Sequence, residues 1–473
     1  MPNNENVQDY KYMLKNGKYK KLASNAILFA VANLGTKLIS FLLVPLYTYT
    51  LTKAQYGMVD IILTTLSMLS PIFALSIADA VFRYSMDKDE VSDVITNGCV
   101  ITCIGGLIAI SFTPIFLLAK IPCAPLFSTS LALSLFLNLF QNYARAAGFE
   151  KEFAWSGIVS AIIMAVSSVL FLVVIKMGIN GYMIGVVLSN ACTVLYLFFS
   201  TKVWRSIDLH LISTDRLKKY LSYSIPLIPN AFSWWFTNDA NRYFILFFVG
   251  SAGNGLYAVA NKIPSLLNMV YGIFSQAWQM SAVEEYKDKD SNFYSNIMNL
   301  SIYVLLLFSC ILLSIIKLFM HYFVAPSYYD AWKFVSFLLL AAIFSDISAF
   351  LGTIFLAAKE TKSIFLTTIL GTITNLIFNL ILIPIFGVNG AGIGSSLGFM
   401  IVSIVRLLLV NRRYIKISLD WKLIIPLTCY LINMLVNFWV SSLIMSTIIN
   451  SIISLILLLM SFIYIYINRQ NYN

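Results

Sequence analysis

The chain has 473 residues, 59% of them hydrophobic and 11% charged, with a mean hydropathy of +0.82. A soluble domain carries about 25% charged residues, so this composition excludes a water-soluble globule and places the chain in a bilayer. The formal net charge of +11 reads as a topology signal, and no nucleic-acid partner is expected.

Apolar runs of about 20 residues, the length a spanning helix needs, alternate with short charged bursts. In chain order they predict fourteen spans, at 24–50, 57–84, 94–119, 123–147, 154–176, 180–201, 219–250, 254–283, 293–318, 330–358, 362–386, 389–410, 420–441 and 443–467. The seventh and tenth approach 30 residues and are expected to tilt or extend past the lipid. No cleavable leader is expected in the polar first 22 residues.

Lysine and arginine set the orientation. One set of connections carries Lys11, Lys15, Lys18, Lys20, Lys21, Arg83, Lys88, Lys151, Lys202, Arg205, Arg216, Lys218 and Lys219. It continues with Lys287, Lys289, Lys359, Lys362, Arg412, Arg413, Lys416, Lys422 and Arg469. The alternate connections carry only Lys53, Lys120, Lys176, Lys317 and Lys333. Both termini are therefore expected in the cytoplasm, with an even number of spans between them.

Two turns repeat. GINGYMIG at 178–185 joins spans five and six, and GVNGAGIG at 387–394 joins spans eleven and twelve; five of the eight positions are identical. Six spans separate the turns, so the halves share one direction and read as a parallel repeat. The expected fold class is an all-α integral membrane protein of about fourteen helices, two six-helix lobes plus two C-terminal helices. A cytoplasmic basic segment (1–22) precedes an N-lobe (23–201). A cytoplasmic linker (202–218), a C-lobe (219–411) and an appended pair of spans (412–473) follow.

Charges inside spans are expensive, about 2.5–3.5 kcal/mol each at a helix centre on insertion scales. The basic ones are Lys37, Arg145, Arg242, Lys262 and Arg406, and the acidic ones include Asp60, Asp79, Asp239 and Asp346. They must line a wet interior, pair, or snorkel. Asp79 and Arg83, spaced i, i+4, are expected to pair as structure. Arg145 and Arg406 lie near helix ends and can snorkel. Lys37 sits near the middle of span one with no acidic residue within four positions. Asp239 and Arg242 can pair at i, i+3, and Lys262 follows Asn261 and precedes Pro264, a polar patch beside a proline that suits a cavity. Lys37, Arg145, Arg242 and Lys262 are the expected substrate-binding cations, since ammonium and guanidinium groups suit phosphate oxygens. Asp79, Arg83, Asp239 and Asp346 are candidates for ion pairing or coupling. Trp234, Trp235 and Trp278 are weaker candidates for sugar contacts, because tryptophan more often packs or forms an interfacial belt.

At NDANRYFILFFVGSAGNGLYAVANKIP (238–264) the chain resembles the polysaccharide transporters of the MOP superfamily. The likeness rests on the Asp–Arg pair in span seven, then Leu246, Gly250, Gly255, Tyr257 and the lysine in span eight. LTKAQYG (51–57), QNYARAAGFEKEF (141–153) and FSQAWQM (274–280) extend it over most of residues 22–411, although the proline common after the tryptophan of the last motif is absent. The resemblance implies a flippase of O-antigen or capsule repeat units. It would move an undecaprenyl-pyrophosphate-linked oligosaccharide across the bacterial cytoplasmic membrane by alternating access through a cationic cavity between the lobes. Its implied partners are that substrate, membrane lipids, a polysaccharide polymerase and glycosyltransferases.

A peptidoglycan-precursor flippase or a drug or cation antiporter of the same superfamily is the neighbouring alternative. A membrane polymerase or glycosyltransferase is the alternative of another class, disfavoured because the longest loop is about 17 residues and such enzymes carry larger catalytic loops. No catalytic residue, cofactor or metal is expected. His210 and His321 are the only histidines, and Cys99, Cys103, Cys123, Cys192, Cys310 and Cys429 show no ligand-like spacing.

Overall fold

A computed structural model describes residues 39–86, 91–284, 286, 290–358 and 360–470. Lys37 lies outside the described residues, as does the side chain of Trp234. The helices in chain order are α1 Lys53–Phe73, α2 Ile77–Tyr84, α3 Val91–Ser111, α4 Ala124–Ala146, α5 Glu150–Ser168 and α6 Ile179–Ser200. Then follow α7 Thr214–Ser224, α8 Ile228–Asp239, α9 Asn241–Phe248, α10 Ser251–Ala260 and α11 Lys262–Glu284. The last are α12 Ser291–Phe323, α13 Trp332–Ala357, α14 Thr361–Phe386, α15 Val388–Arg413, α16 Ile424–Trp439 and α17 Leu443–Gln470. Among the described residues there is no strand. In lipid every backbone polar group must be satisfied within the chain, and helices achieve this span by span.

Among the described residues, eleven helical segments are long and apolar enough to cross a membrane. They correspond to the second to sixth and the ninth to fourteenth expected spans. The first expected span falls mostly outside the described residues. The seventh and eighth are interrupted, for readable reasons. The seventh breaks into α7, a 3₁₀ turn at Ile225–Leu227, α8 and α9; Pro226 and Pro229 lack the N–H that a continuous helix needs. The eighth breaks at Asn261 between α10 and α11, three residues before Pro264. The second span is also shorter than expected. Leu75 and Ser76 both take positive φ, 49° and 50°, and this turn divides α1 from α2.

Contacts divide the described chain into two compact units, one of residues 39–46 and 62–232, the other of 47–61 and 233–470. In the first unit α6 packs on α4 and α5, and α3 on α4. The segment after α6 is not a free linker. The Asp208 backbone N–H donates to Thr96 Oγ1 at 3.0 Å, Asn97 donates to Leu211 O at 3.2 Å, and Arg216 pairs with Asp93 at 3.2 Å.

In the second unit α15 lies between α13 and α14. Ser396 and Ser403, both on α15, donate to the Phe337 and Phe344 carbonyls of α13 at 2.8 and 2.9 Å. Arg406, on the same helix, does not snorkel as expected. It is 7% exposed and donates to Ser348 O and Oγ, Thr367 Oγ1 and Thr368 Oγ1, all within 3.1 Å. Hydroxyls and a carbonyl take every nitrogen of this buried guanidinium, so it ties α13, α14 and α15 together.

The appended helices dock through amides. Asn433 and Asn437, one turn apart on α16, donate to the Cys310 and Leu313 carbonyls of α12 at 3.3 and 3.0 Å. Lys317, expected in a connection, is instead inside α12 and 3% exposed. Its Nζ donates to Val440 O at 2.8 Å, at the C-terminal end of α16, and lies 4.4 Å from the Trp332 ring centroid. A cation there complements the negative end of the helix.

The two repeated turns have one geometry. Gly178, before α6, has φ 57° and ψ −132°; Gly387, before α15, has φ 60° and ψ −137°. A side chain is strained at that φ, which accounts for glycine at both positions.

Candidate functional site

The densest group of intramembrane charges lies in the second unit, and a close backbone contact builds it. The start of α1 is fixed by a capping box: Thr52 N–H donates to Gln55 Oε1 at 3.0 Å, and Gln55 N–H to Thr52 Oγ1 at 3.3 Å. One turn on, α1 meets α10 with no room for side chains. A Cβ on Gly57 would stand 1.9 Å from Ser251 O, and one on Gly255 would stand 2.0 Å from Lys53 O. Asn254 spans the same contact, donating to Gly57 O at 2.8 Å. This approach presents Asp60, three residues beyond Gly57, to the α8–α10 region.

There Arg242 donates from Nε to Asp60 Oδ2 at 2.8 Å and from a terminal nitrogen to Asp239 Oδ1 at 2.5 Å. The side chains of Arg242, Asp60 and Asp239 are 12%, 19% and 34% exposed. The guanidinium also sits 5.7 Å from the Tyr257 ring centroid, a cation–π distance. Lys262, at the start of α11, lies within the fields of Asp60 and Arg242 but forms no ion pair with a described residue. Among the described residues the cluster holds two carboxylates, a guanidinium and an ammonium. A simple cationic patch was expected. The i, i+3 pairing of Asp239 with Arg242 is present, and Asp60 is its second carboxylate.

A cavity of about 190 Å³ adjoins the cluster, with Asn238, Asp239, Asn241, Tyr257, Asn261 and Asn268 among its lining residues. Behind it an amide network locks the elements. Asn241 donates to Ser395 Oγ at 2.7 Å, and Asn379 donates to Asn241 Oδ1 at 2.7 Å and to Asn375. Thr237 and Thr372 share a hydroxyl contact of 2.7 Å. The breaks between α8 and α9 and between α10 and α11 fall beside this polar region, where backbone groups released from helices can be met.

The other expected residues lie elsewhere. Asp346, on α13, is 7% exposed and its Oδ2 has no donor among the described residues; Tyr271 donates to its backbone oxygen at 2.8 Å. Trp278 is core: 2% exposed, its ring stacked on Phe350 at 4.1 Å, its N–H bonded to Phe350 O at 3.3 Å. Its covered face corrects the expectation of a sugar contact there. Trp235 is half-buried, edge-on to Tyr243 at 5.6 Å.

In the first unit Arg145 donates to Asn142 Oδ1 at 2.6 Å and lies over the rings of Phe82 and Phe153, 4.8 and 5.4 Å from their centroids. The carboxylate acting on it is Asp79. The cation whose field acts on Asp79 is Arg145, on α4, rather than the expected i, i+4 neighbour Arg83.

Sequence reasoning missed Asp60, Asn254 and the amides of α14 as members of the cluster. The one local clue was the pair of glycines, Gly57 and Gly255, each in a segment already singled out.

Helices of membrane length, two further spans with polar breaks and a charge cluster beside those breaks define a multi-pass membrane protein. The sequence matches the polysaccharide biosynthesis protein family over residues 22–279, more than half of the chain, and the protein belongs to that family. Solved structures of the MOP superfamily share the fold. An inward-facing multidrug resistance MATE transporter is similar at TM-score 0.66 and 16% identity, covering 81% of this chain and 98% of its own. The lipid II flippase MurJ, in an inward closed conformation, is similar at TM-score 0.66 and 15% identity, covering 93% and 100%. A MOP transporter from Pyrococcus furiosus, described as having a binding pocket of reversed polarity, is similar at TM-score 0.59 and 16% identity, covering 82% and 94%. No curated protein matches the sequence.

Proposed function

We propose that the protein is a flippase for a polyprenyl-pyrophosphate-linked oligosaccharide repeat unit, carrying it from the cytoplasmic to the outer leaflet. The observation that carries this reading is Arg242 held between Asp60 and Asp239 inside the membrane, in a chain of the polysaccharide biosynthesis family. A pyrophosphate cannot cross hydrocarbon unaided, and an arginine already held by carboxylates can exchange them for phosphate oxygens of similar geometry. Lys262 adds a cation with no described ion-pair partner. Lys37 and Arg145 are the further cations proposed to bind substrate.

The two six-span halves, 23–201 and 219–411, rock to give alternating access. Both termini face the cytoplasm, and the protein resides in the bacterial cytoplasmic membrane. A membrane potential negative inside favours outward movement of an anion by about 2.3 kcal/mol per charge per 100 mV. Glycosyltransferases supply the substrate and a polymerase consumes it; the protein itself makes no bond. A peptidoglycan-precursor flippase is the second reading, favoured by the likeness to MurJ over 93% of the chain.

Deleting the gene and restoring it on a plasmid separates the two. The first reading expects loss of surface polysaccharide with lipid-linked oligosaccharide retained in the inner leaflet. Normal polysaccharide in the deletion, together with rescue of cells depleted of their peptidoglycan-precursor flippase, would replace it with the second.

A further inference from the structure

We infer that a neutral cavity in the first unit is a recognition site for an uncharged sugar residue of the transported lipid. This inference rests on the flippase reading above.

The cavity measures about 420 Å³, and Gln141, Phe153, Ser160, Tyr182, Ser189 and Asn190 are among its lining residues. It lies among α4, α5 and α6, and this volume is within the ~300–1,000 Å³ of small-molecule pockets. No charged side chain is among its described lining residues. Arg145, though over the Phe153 ring at 5.4 Å, is not one of them. A site for the pyrophosphate would need cations, and a site for an organic cation would need carboxylates. This one presents amides and hydroxyls.

Several of those groups are unspent. The half-buried Asn190 makes no side-chain hydrogen bond with a described residue, although it sits midway along α6 in a membrane-spanning helix. Its amide therefore offers donors and an acceptor to whatever fills the cavity. Gln141 holds Ser156 only at 3.4 Å through Nε2, and its Oε1 is unused by described residues. Ser189 has one proton to give, to Ser160 O or to Ser160 Oγ, each at 2.9 Å, and in either case Ser160 Oγ is not saturated. That leaves Ser160 Oγ with a lone pair for an incoming hydroxyl. An unmet amide is costly in a bilayer interior. A ligand that donates and accepts at each position and carries no charge meets all three groups, and the hydroxyls of a neutral sugar do so.

The test uses purified full-length protein and two probes. One is the lipid-linked saccharide fraction extracted from the strain that carries the gene; the other is undecaprenyl pyrophosphate without sugar. Affinity for each is read from ligand-dependent thermal stabilisation. The wild type is expected to bind the sugar-bearing lipid about tenfold tighter, the worth of one or two well-made hydrogen bonds. In Asn190→Leu and, separately, Gln141→Met, the ratio should fall towards one while affinity for the bare lipid stays within about twofold. Taking the ratio within one preparation prevents a partly unfolded variant from imitating lost recognition. Equal binding of both probes by the wild type would overturn the inference, as would a preference that survives both substitutions; the cavity would then hold water only. If the wild type binds neither lipid, the flippase reading fails first and this site falls with it.

Discussion

Arg242 and Asp60 stand 182 positions apart in sequence, yet Nε and Oδ2 are 2.8 Å apart. The contact joins α9 to α1 and leaves Arg242 shared with Asp239. The side chains of Arg242 and Asp60 are little exposed, so this pair is held in a setting where water screens it weakly.

Removing one partner of this cluster is expected to cost about 1–3 kcal/mol, because the group left behind keeps its charge without its hydrogen bond. Asp60→Asn and Arg242→Gln should each lower the thermal midpoint of the purified protein. The double variant should be less destabilised than the sum of the two, with a coupling of about 0.5–3 kcal/mol. Additive losses would show that the two side chains act independently. Because Arg242 has this structural duty, its export defect must be judged beside the abundance of each variant.

Lys262 provides the cleaner test of charge in transport. Lys262→Met breaks no ion pair with a described residue, so membrane abundance should hold while surface polysaccharide falls. Lys37→Met is expected to behave likewise, and Lys37→Arg to retain more export because it keeps the charge. Substituting Lys289 should change neither quantity. Unchanged export in both neutral variants would remove the case for cationic head-group binding.

Gly57→Ala should be the most damaging small substitution in the second unit. Its Cβ would stand 1.9 Å from Ser251 O, so α1 and α10 would have to separate, at a cost of about 1–3 kcal/mol or more. A melting temperature within a degree of wild type would show that the helices are not held this close. Gly272→Ala, with nothing within 4 Å of the new Cβ, is the matched control.

The carboxylates should differ. Asp346→Asn removes a buried carboxyl oxygen that has no described donor and should leave stability equal or higher. Asp239→Asn takes a counter-charge from Arg242 and should lower it. Thermal melts of the two proteins side by side check the contrast. Were Asp346 a coupling residue, Asp346→Asn would lose transport without losing fold, which the polysaccharide assay reads directly.

Single cysteines in a cysteine-free protein test the orientation. At Lys120 and Lys176, both exposed and in expected outer connections, an impermeant thiol reagent should label intact cells. At His210 and Arg412, also exposed, labelling should require permeabilisation. The opposite pattern would invert the proposed direction of transport.

The sequence by itself determined the membrane class, most of the spans and the two glycine turns. Apolar run length and backbone φ are local quantities, and Gly178 and Gly387 take the same conformation for the same steric reason. It also determined the Asp239–Arg242 pair, which i, i+3 spacing makes available within one stretch of chain. Only the tertiary structure decided what else those charges meet. The meeting of Asp60 with Arg242 depends on Gly57 and Gly255 letting two backbones touch, and no periodicity encodes which helices will touch. Arg406 and Lys317 changed meaning for the same reason. Each looks like a snorkelling or loop cation in sequence, but each finds its hydrogen-bond acceptors on other helices. The cost of an intramembrane charge could be read from its residue type, whereas the group that offsets that cost comes from a distant part of the chain.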